Sequence, residues 1–158
     1  MLADILVAHP DVRGVLCDLP HVVAAAPPLL EASGVAERCK VVAADFFAGA
    51  PEGADAYVLK SVLHDWDDAR AIAILANCRK AMAPTATLLV VERVMPEKAE
   101  QGRAVEAYLL DLEMLVLTPG GRERTEAEFR VILSDAGFAT TRVVPTTAPV
   151  SVIEARPV

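Results

Sequence analysis

The sequence predicts an α/β fold in which a mostly parallel sheet carries helices on both faces and ends in an antiparallel hairpin. Three observations predict it. Short apolar strands alternate with helical patterns along the chain, which is typical of parallel sheets. Two strand-like segments close the chain, joined by a proline-containing connection at 145–149. The 158 residues, 54% of them hydrophobic, suffice for the core of a single domain spanning 1–158.

The composition argues against several classes of protein. A net charge of -7 without a basic tract disfavours binding to nucleic acids and to anionic membrane surfaces. The apolar runs are too short and interrupted to span a bilayer. The first residues carry no basic segment of a signal peptide, so we expect a cytoplasmic protein. Cys17, Cys39 and Cys78 lack metal-site spacing and are interpreted as small apolar residues in a reducing compartment.

The first half of the chain is predicted to hold three helical stretches and two strands. Prolines open two of the helices, where a first turn tolerates them, and Gly34 suits the end of a helix. Each strand ends in an acid, Asp18 or Asp45. The predicted helices lie at 2–8, from 20 and from 27, and the predicted strands at 15–18 and 40–45.

The second half is predicted to begin with a strand and a helix that Asp67 or Asp68 caps. A later Thr125–Glu128 segment has the pattern of a capping box. Residues 97–103 are interpreted as a polar linker. The predicted strands lie at 55–60, 87–92, 140–144 and 150–155, and the predicted helices from 68 to 84, at 105–117 and from 125 to 137.

One acid of the helix predicted at 105–117 lies off the polar face of that helix. Glu106 and Glu113 lie on its solvent side, but Asp111 falls among apolar neighbours. An acid in that position is a candidate for lining a pocket or supporting a neighbouring polar group. Asp111 is therefore a candidate substrate-binding residue.

The most informative segment is 59–68, where an apolar strand ends in Lys60, His64, the only Trp and three Asp residues. Ligands bind at the carboxyl ends of parallel strands, so His64 is a candidate base. The alternatives are a capping or packing histidine and a strand-end lysine that reaches for solvent. The aspartates are better explained as helix-start acids than as a metal cluster, and Trp66 as packing that orients the turn.

Five motifs occur in order along the chain: Asp18-Leu19-Pro20, Asp45-Phe46-Phe47, the segment 59–68, Leu89-Val90-Val91-Glu92 and the segment 120–125. Together they resemble the catalytic domain of the S-adenosylmethionine-dependent O-methyltransferases of plant phenolic and bacterial polyketide pathways. The resemblance covers nearly the whole chain. It implies a Rossmann-like class I methyltransferase sheet and S-adenosyl-L-methionine as cofactor.

The resemblance also implies roles for individual residues. The implied cofactor-binding residues, at the ribose, at the adenine and beside the cofactor, are Asp18, Asp45, Phe46 and Lys60. The general base is implied to be His64, with the acids Glu92 and Glu123 beside it. Met114 is implied to line the acceptor pocket. An alternative for Glu123 is a surface acid paired with Arg122 or Arg124.

The implied chemistry is reasonable for these side chains. A phenol has a pKa of about 10 and an imidazole one of about 6.5, so a placed imidazole can take the phenolic proton as the oxygen attacks the methyl group. An acid that accepts the other ring N–H would hold the tautomer and stabilise the imidazolium. Glu92 and Glu123 both remain candidates for that acid. No metal is required.

The family pattern begins with elements that these residues do not contain. It has a first strand followed by a glycine-rich loop, and a helical N-terminal domain that forms a homodimer, whereas residues 2–8 match the helix after that loop. We therefore expect a sheet that lacks its first strand. Two interpretations stay open: a methyltransferase acting on a small aromatic or polyketide hydroxyl, and a non-catalytic remnant or partner-binding fragment. A nicotinamide-dependent oxidoreductase is disfavoured, because its glycine fingerprint is absent as well.

Overall fold

The computed structural model describes residues 1–97 and 104–158, with side chains described except at 104–107. The chain divides into two compact units, Met1–Glu52 and Gly53–Val158. The strands of the described residues form an α/β fold with parallel and antiparallel pairs. No helix among these described residues is both long and apolar enough to cross a membrane.

The first unit contains one pair of parallel strands and the helices around them. Its elements are α1 (Leu2–Ala8), β1 (Gly14–Asp18), α2 (Pro20–Val23), α3 (Ala26–Ala32) and β2 (Cys39–Ala43). Strands β1 and β2 pair in register from Gly14–Cys39 to Asp18–Ala43. The predicted strands and helices of this half are confirmed, and Gly34 ends α3 with a φ of 67°.

A small apolar cluster holds the first unit together. Leu6 of α1, Leu30 of α3 and Val35 are almost fully buried and pack with Ala26 and Cys39. Burial of each of the two leucines and of Val35 contributes roughly 1.5–3 kcal/mol. The cluster fastens both helices to the sheet that ends in Asp18.

The second unit is built on a four-stranded mixed sheet. Its elements are β3 (Ala56–Lys60), a 3-10 turn (Leu63–Asp65), α4 (Asp68–Ala81), β4 (Thr87–Glu92), β5 (Val94–Met95), α5 (Ala104–Leu117), β6 (Arg124–Thr125), α6 (Glu126–Asp135), β7 (Phe138–Pro145) and β8 (Ser151–Pro157). The sheet order is β3-β4-β8-β7, with β3 and β4 parallel and the other pairs antiparallel. Strands β5 and β6 form a separate parallel pair.

Strand β4 brings an acid into the core of the second unit. Its side chains alternate, so that Leu88, Val90 and Glu92 are the buried ones. This alternation follows from the two-residue period of a strand. Helices α4 and α6 bury Leu75, Phe129 and other apolar side chains. Glu92 therefore continues an apolar face at the carboxyl end of the strand.

Most predicted elements of this half are confirmed. The antiparallel hairpin is formed by β7 and β8. The capping box is present, with reciprocal hydrogen bonds between Thr125 and Glu128. The predicted linker at 97–103 lies outside the described residues except for Glu97. The single domain 1–158 stays a prediction.

Candidate active site

The candidate site of the second unit is the turn that joins β3 to α4. The backbone turns sharply at Ser61, which has a φ of 55° although it is not a glycine. Strained residues of this kind concentrate at functional sites. The Ser61 N–H donates to the Val91 carbonyl at 3.1 Å. The 3-10 turn Leu63–Asp65 follows and carries His64.

Glu92 contacts His64 because of the register of the sheet. Lys60, the last residue of β3, pairs with Val91, so Glu92 is the first residue beyond that pair and lies beside the turn. Its Oε2 is 2.7 Å from His64 Nδ1, and its side chain is 1% exposed. Its Oε1 accepts from the N–H groups of Val62 and Leu63, both at 2.9 Å.

These bonds determine the tautomer of His64. A carboxylate that already accepts two backbone N–H groups acts as an acceptor, so the proton of the neutral imidazole belongs on Nδ1. Nε2 then carries the lone pair and is the atom that can take a proton. It is 3.4 Å from Asp65 Oδ1. Of the two candidate acids, Glu92 is the one hydrogen-bonded to the ring.

Acids around the ring make His64 a stronger base. The hydrogen bond to Glu92 raises the pKa of His64, burial opposes this rise, and the charges of Glu92, Asp65 and Glu123 add to it. The net effect is a pKa above the ordinary value of 6.5. The positive form of the ring is therefore stabilised by its surroundings.

Glu123 is the second acid near His64 and is held differently. Burial raises its pKa; the charges of Glu92 and Asp111 reinforce this, whereas His64 and Arg93 oppose it. Its Oε2 is buried without a hydrogen-bond partner. Its backbone N–H donates to Asp111 Oδ1 at 2.8 Å. The off-pattern acid of α5 thus supports the backbone of Glu123.

The alternative that pairs Glu123 with a neighbouring arginine does not match the ion pairs found. Arg122 binds Glu128 at 2.8 Å and Asp68 at 3.1 Å. Arg124 binds Asp68 at 2.8 Å. Both arginines are thus engaged with other carboxylates.

The interpretation of Asp67 and Asp68 as helix-start acids is supported, whereas Asp65 lies in the 3-10 turn. Asp67 caps α4 by accepting from the Arg70 N–H at 2.8 Å. Burial opposes ionisation of Asp68, but hydrogen bonds and charges from Arg124 and Arg122 hold the pKa of Asp68 below its usual value. The Arg70 guanidinium lies 5.4 Å from the centre of the Trp66 ring.

Sequence reasoning missed two residues that touch this turn. Arg124 is fully buried and donates to the carbonyls of Leu63 and Trp66, both at 2.8 Å. Gly121 lies so close that a Cβ there would collide with the Thr118 hydroxyl and the His64 carbonyl oxygen. Both residues lie in the 120–125 motif, but the sequence does not show that they are buried against this turn, because arginines and loop glycines are normally solvent-exposed.

The candidate cofactor residues of the first unit lie at the carboxyl ends of two paired strands. Asp18 ends β1, and Asp45 follows β2 by two residues. Asp18 Oδ1 accepts from the Leu19 N–H at 2.7 Å, and Asp45 Oδ1 from the Phe47 N–H at 2.8 Å. These bonds use one oxygen of each carboxylate, and an ionised carboxylate accepts through both. The pair is therefore suited to receiving hydroxyl groups.

The remaining predicted residues have fewer described contacts. Phe46 packs edge-on against Phe47, with 5.0 Å between ring centres. Lys60 is exposed at the end of β3. Met114 is half-buried on α5, and its carbonyl accepts from the Thr118 hydroxyl at 2.8 Å. The roles of these three residues stay predictions.

Comparison with known proteins identifies the family. The O-methyltransferase domain model matches residues 1–139. The chain is 50% identical over 160 residues to the O-demethylpuromycin-O-methyltransferase of Streptomyces alboniger, covering 100% of this chain and 42% of that protein. It is 47% identical over 158 residues to a phenazine O-methyltransferase of Lysobacter antibioticus, covering 100% of this chain and 45% of that protein.

Solved structures of O-methyltransferases also resemble this chain. A mitomycin 7-O-methyltransferase matches with a TM-score of 0.92 and 39% identity, over 99% of this chain and 45% of that one. An O-methyltransferase from neocarzinostatin biosynthesis, in complex with S-adenosylmethionine and 2-hydroxy-5-methyl naphthoic acid, matches with a TM-score of 0.88 and 36% identity, again over 99% and 45%. This chain spans less than half the length of each of these relatives. The chain belongs to the O-methyltransferase domain family.

Proposed function

We propose that this chain is part of an S-adenosylmethionine-dependent O-methyltransferase that methylates a phenolic hydroxyl of a small aromatic or polyketide acceptor, with His64 as general base. The observation that carries the proposal is the 2.7 Å contact between His64 Nδ1 and the buried Glu92. It supports a ring whose other nitrogen is unprotonated, which is the arrangement a general base needs.

The residues of the first unit suit the cofactor. Asp18 and Asp45 offer carboxylate oxygens at the ends of paired strands, where such folds receive ribose hydroxyls. Phe46 adds an aromatic ring beside Asp45. When bound, S-adenosylmethionine supplies an electrophilic methyl group on its sulfur. Asp18, Asp45 and Phe46 are the cofactor-binding residues proposed for the first unit. Within the second unit, Lys60 is proposed as a cofactor-binding residue on the family resemblance.

The proposed catalytic step is proton removal by His64. Nε2 takes the proton from the acceptor hydroxyl, and the ring becomes an imidazolium. The hydroxyl oxygen would then receive the methyl group of the bound cofactor, whose bond to sulfur would break and leave a neutral thioether. Glu92 stabilises this cation through Nδ1, and the Val62 and Leu63 N–H groups hold the carboxylate in place. A placed base of this kind typically contributes on the order of a hundred- to ten-thousand-fold in rate.

Glu123 is proposed to respond to the charge that develops on His64. Its pKa is raised by burial and lowered by a positive His64. A positive His64 ring and an ionised Glu123 therefore stabilise each other. Asp111 contributes by holding the Glu123 backbone, and Met114 on the same helix is proposed to line the acceptor pocket.

The acceptor class is proposed from the chemistry of the base and from the relatives. A phenolic proton, with a pKa of about 10, is within reach of an imidazole whose pKa is raised. The relatives are named for phenazine and demethylpuromycin substrates, and one solved structure contains a hydroxynaphthoic acid. Phenazine and hydroxynaphthoic acid are aromatic molecules. A hydroxylated ring of similar size is the acceptor to test first.

The experiment is methyl transfer by the protein expressed from its complete gene. Label from S-adenosylmethionine should appear on hydroxynaphthoic acid or a hydroxyphenazine, and its loss in His64→Ala with unchanged cofactor affinity by calorimetry would support the base. His9→Ala, an exposed histidine outside the site, is the matched control. Near-normal turnover in His64→Ala would rule out the base assignment. A well-folded protein that binds no cofactor would favour a non-catalytic remnant.

Two further features of the resemblance belong to the proposal. We propose a homodimer for the complete protein, which light scattering after gel filtration would test directly. We also propose that the class I sheet requires a first strand with a glycine-rich loop beyond the elements described. A complete gene that encodes no such segment would contradict the second of these.

A further inference from the structure

The backbone of the turn that carries His64 is held by two oppositely charged side chains. On one side, the carboxylate of Glu92 accepts from the N–H groups of Val62 and Leu63. On the other side, the guanidinium of Arg124 donates to the carbonyls of Leu63 and Trp66. Leu63, the residue before His64, is bonded through both its N–H and its carbonyl. Both charged side chains are almost completely buried, at 1% and 0% exposure.

The geometry points to Arg124 as a positioning residue that holds the His64 ring at hydrogen-bonding distance from Glu92. This inference rests on the proposed role of His64 as general base. None of the described hydrogen bonds of Arg124 goes to the His64 ring, and Arg124 acts through the backbone on both sides of His64. The acid that bonds the ring and the arginine that holds the turn thus have separate tasks.

The shape of a guanidinium suits this task better than that of an ammonium group. Arg124 uses three nitrogens: Nη1 donates to Leu63, Nη2 to Trp66 and to Asp68 Oδ1, and Nε to the same oxygen. The planar fork fixes the directions of these bonds together, whereas a lysine presents a single nitrogen. A lysine in this place keeps the charge but cannot hold both carbonyls and the carboxylate in one plane.

Asp68 compensates the buried charge of Arg124. A buried cation without a partner is strongly unfavourable, and Asp68 Oδ1 accepts from Nε at 3.0 Å and from Nη2 at 2.8 Å. Asp68 is the first residue of α4, directly after its cap. The arginine therefore joins the start of α4 to strand β6, with the His64 turn between its bonds.

The segment before Arg124 reinforces the same turn by close packing. Gly121 approaches the His64 carbonyl too closely for any side chain. Its N–H donates to the Thr118 hydroxyl at 2.8 Å, which holds it there. Close packing against Gly121 is thus a second restraint on the backbone of the turn.

The test compares Arg124→Lys with Arg122→Lys in the protein expressed from its complete gene. Arg122 is the matched control, because it also binds Asp68 but donates no described hydrogen bond to the turn. The first readout is the NMR titration of the His64 ring, assigned by its loss in His64→Ala. We expect the pKa of His64 to fall toward its ordinary value in Arg124→Lys, because the bond to Glu92 loosens, and to stay unchanged in Arg122→Lys.

The second readout separates turnover from binding. Misplacing a catalytic group by about 1 Å can cost about a hundredfold, so we expect kcat to fall roughly ten- to a hundredfold in Arg124→Lys while the KM for the cofactor holds. A purely structural role would lower the melting temperature without moving the imidazole titration. A folded Arg124→Lys protein with the wild-type His64 pKa would overturn the inference.

Two further measurements keep the outcomes distinct. If the wild-type protein transfers no methyl group, the proposed function fails, yet the titration still decides whether Arg124 positions His64. If Arg124→Lys does not fold, Asp68→Asn takes its place, since it weakens the hold on Arg124 while leaving the arginine present. A smaller downward shift of the His64 pKa is then expected, and an unchanged pKa would overturn the inference.

Discussion

At the scale of single residues, the acids around His64 set both its tautomer and its basicity. Glu92 fixes the proton on Nδ1, and the raised pKa of His64 follows first from that hydrogen bond. A stronger base takes a phenolic proton more readily, but it is also protonated over more of the pH range. The pH dependence of the proposed reaction should therefore report on the hydrogen bond between His64 and Glu92.

As the proposed base, His64 must be neutral to act, so kcat/KM should rise with pH through a value above 6.5. Replacing Glu92 by Gln removes the negative charge and leaves one acceptor oxygen where the carboxylate offers two, one to the backbone and one to Nδ1. We expect the rising limb of the profile to move to lower pH and its plateau to fall. A pH–rate profile of both proteins checks this, and an unmoved limb would contradict the assignment of Glu92 as the partner of the ring.

In the first unit, a single arginine side chain binds the end of helix α1. The guanidinium of Arg38 donates to the carbonyls of Leu6, His9 and Val12, at 2.7, 3.3 and 2.9 Å. These include carbonyls at the end of α1, where no further helical N–H can reach them. Arg38 thus serves as a side-chain cap for that helix.

Replacing Arg38 by Ala should free those carbonyls and weaken α1. Hydrogen bonds that involve a charged group are worth roughly 1.5–3 kcal/mol in favourable cases, and Arg38 is only partly buried, so we expect about 1–2 kcal/mol. Hydrogen exchange of the α1 amides measures the change, with the exposed Arg13→Ala as control. Equal protection in both variants would show that the cap contributes nothing.

At the scale of elements, the strand and helix ends are where local chemistry and site geometry meet. The turn between β3 and α4 begins at the strained Ser61 and ends at the Asp67 cap. The pair β5–β6 carries Arg124 at its first register position, opposite Val94. The site therefore depends on where each element stops.

Helix α6 offers a test at this scale, since its capping box directly follows Arg124. Thr125→Ala removes the hydroxyl that accepts from the Glu128 N–H, and loss of such a cap costs about 1 kcal/mol. Denaturant unfolding should show this loss, with the exposed Thr147→Ala as control. An unchanged midpoint would mean that the packing of Phe129 and Leu133 alone defines the start of α6.

At the scale of the whole molecule, the stability of the second unit depends on charges brought together from distant segments. Asp68 pairs with Arg122 and Arg124, more than 50 residues later in the chain. Its pKa is lowered in the folded state despite the opposing effect of burial. A lowered pKa means that the folded state binds the proton less readily than the unfolded chain does.

The sign of this linkage gives a prediction. The contribution of Asp68 to stability is fully present above its unfolded pKa, near 3.8, and is lost as the pH falls through its lowered folded value. The difference in unfolding free energy between the wild type and Asp68→Asn should therefore persist at neutral pH and shrink in acid. Unfolding curves at several pH values measure it, and a difference independent of pH would show that the charge contributes nothing.

Sequence reasoning succeeded where the determining interactions are local. A short, continuous apolar run predicted β4, proline and glycine predicted the ends of α3, and the Thr125–Glu128 pattern predicted the cap of α6. In each case the partners lie within a few residues, so their chemistry can be read from the order of the chain. The family resemblance, carried by motifs that occur in order, was confirmed by the match of the O-methyltransferase domain model to residues 1–139.

Sequence alone could not choose between Glu92 and Glu123 as the partner of the ring, and it missed the contacts of Arg124 and Gly121. The register of β3 on β4 decides that Glu92 meets His64, and the return of the chain at β6 decides that a guanidinium reaches the Leu63 and Trp66 carbonyls. Most elements, and the family, could be predicted from the order of the residues, because those signals lie in short segments of the chain; the short strands β5 and β6 could not. The side chains that hold His64 could be identified only in the fold, because partners 28 to 61 residues apart are brought together by packing and register.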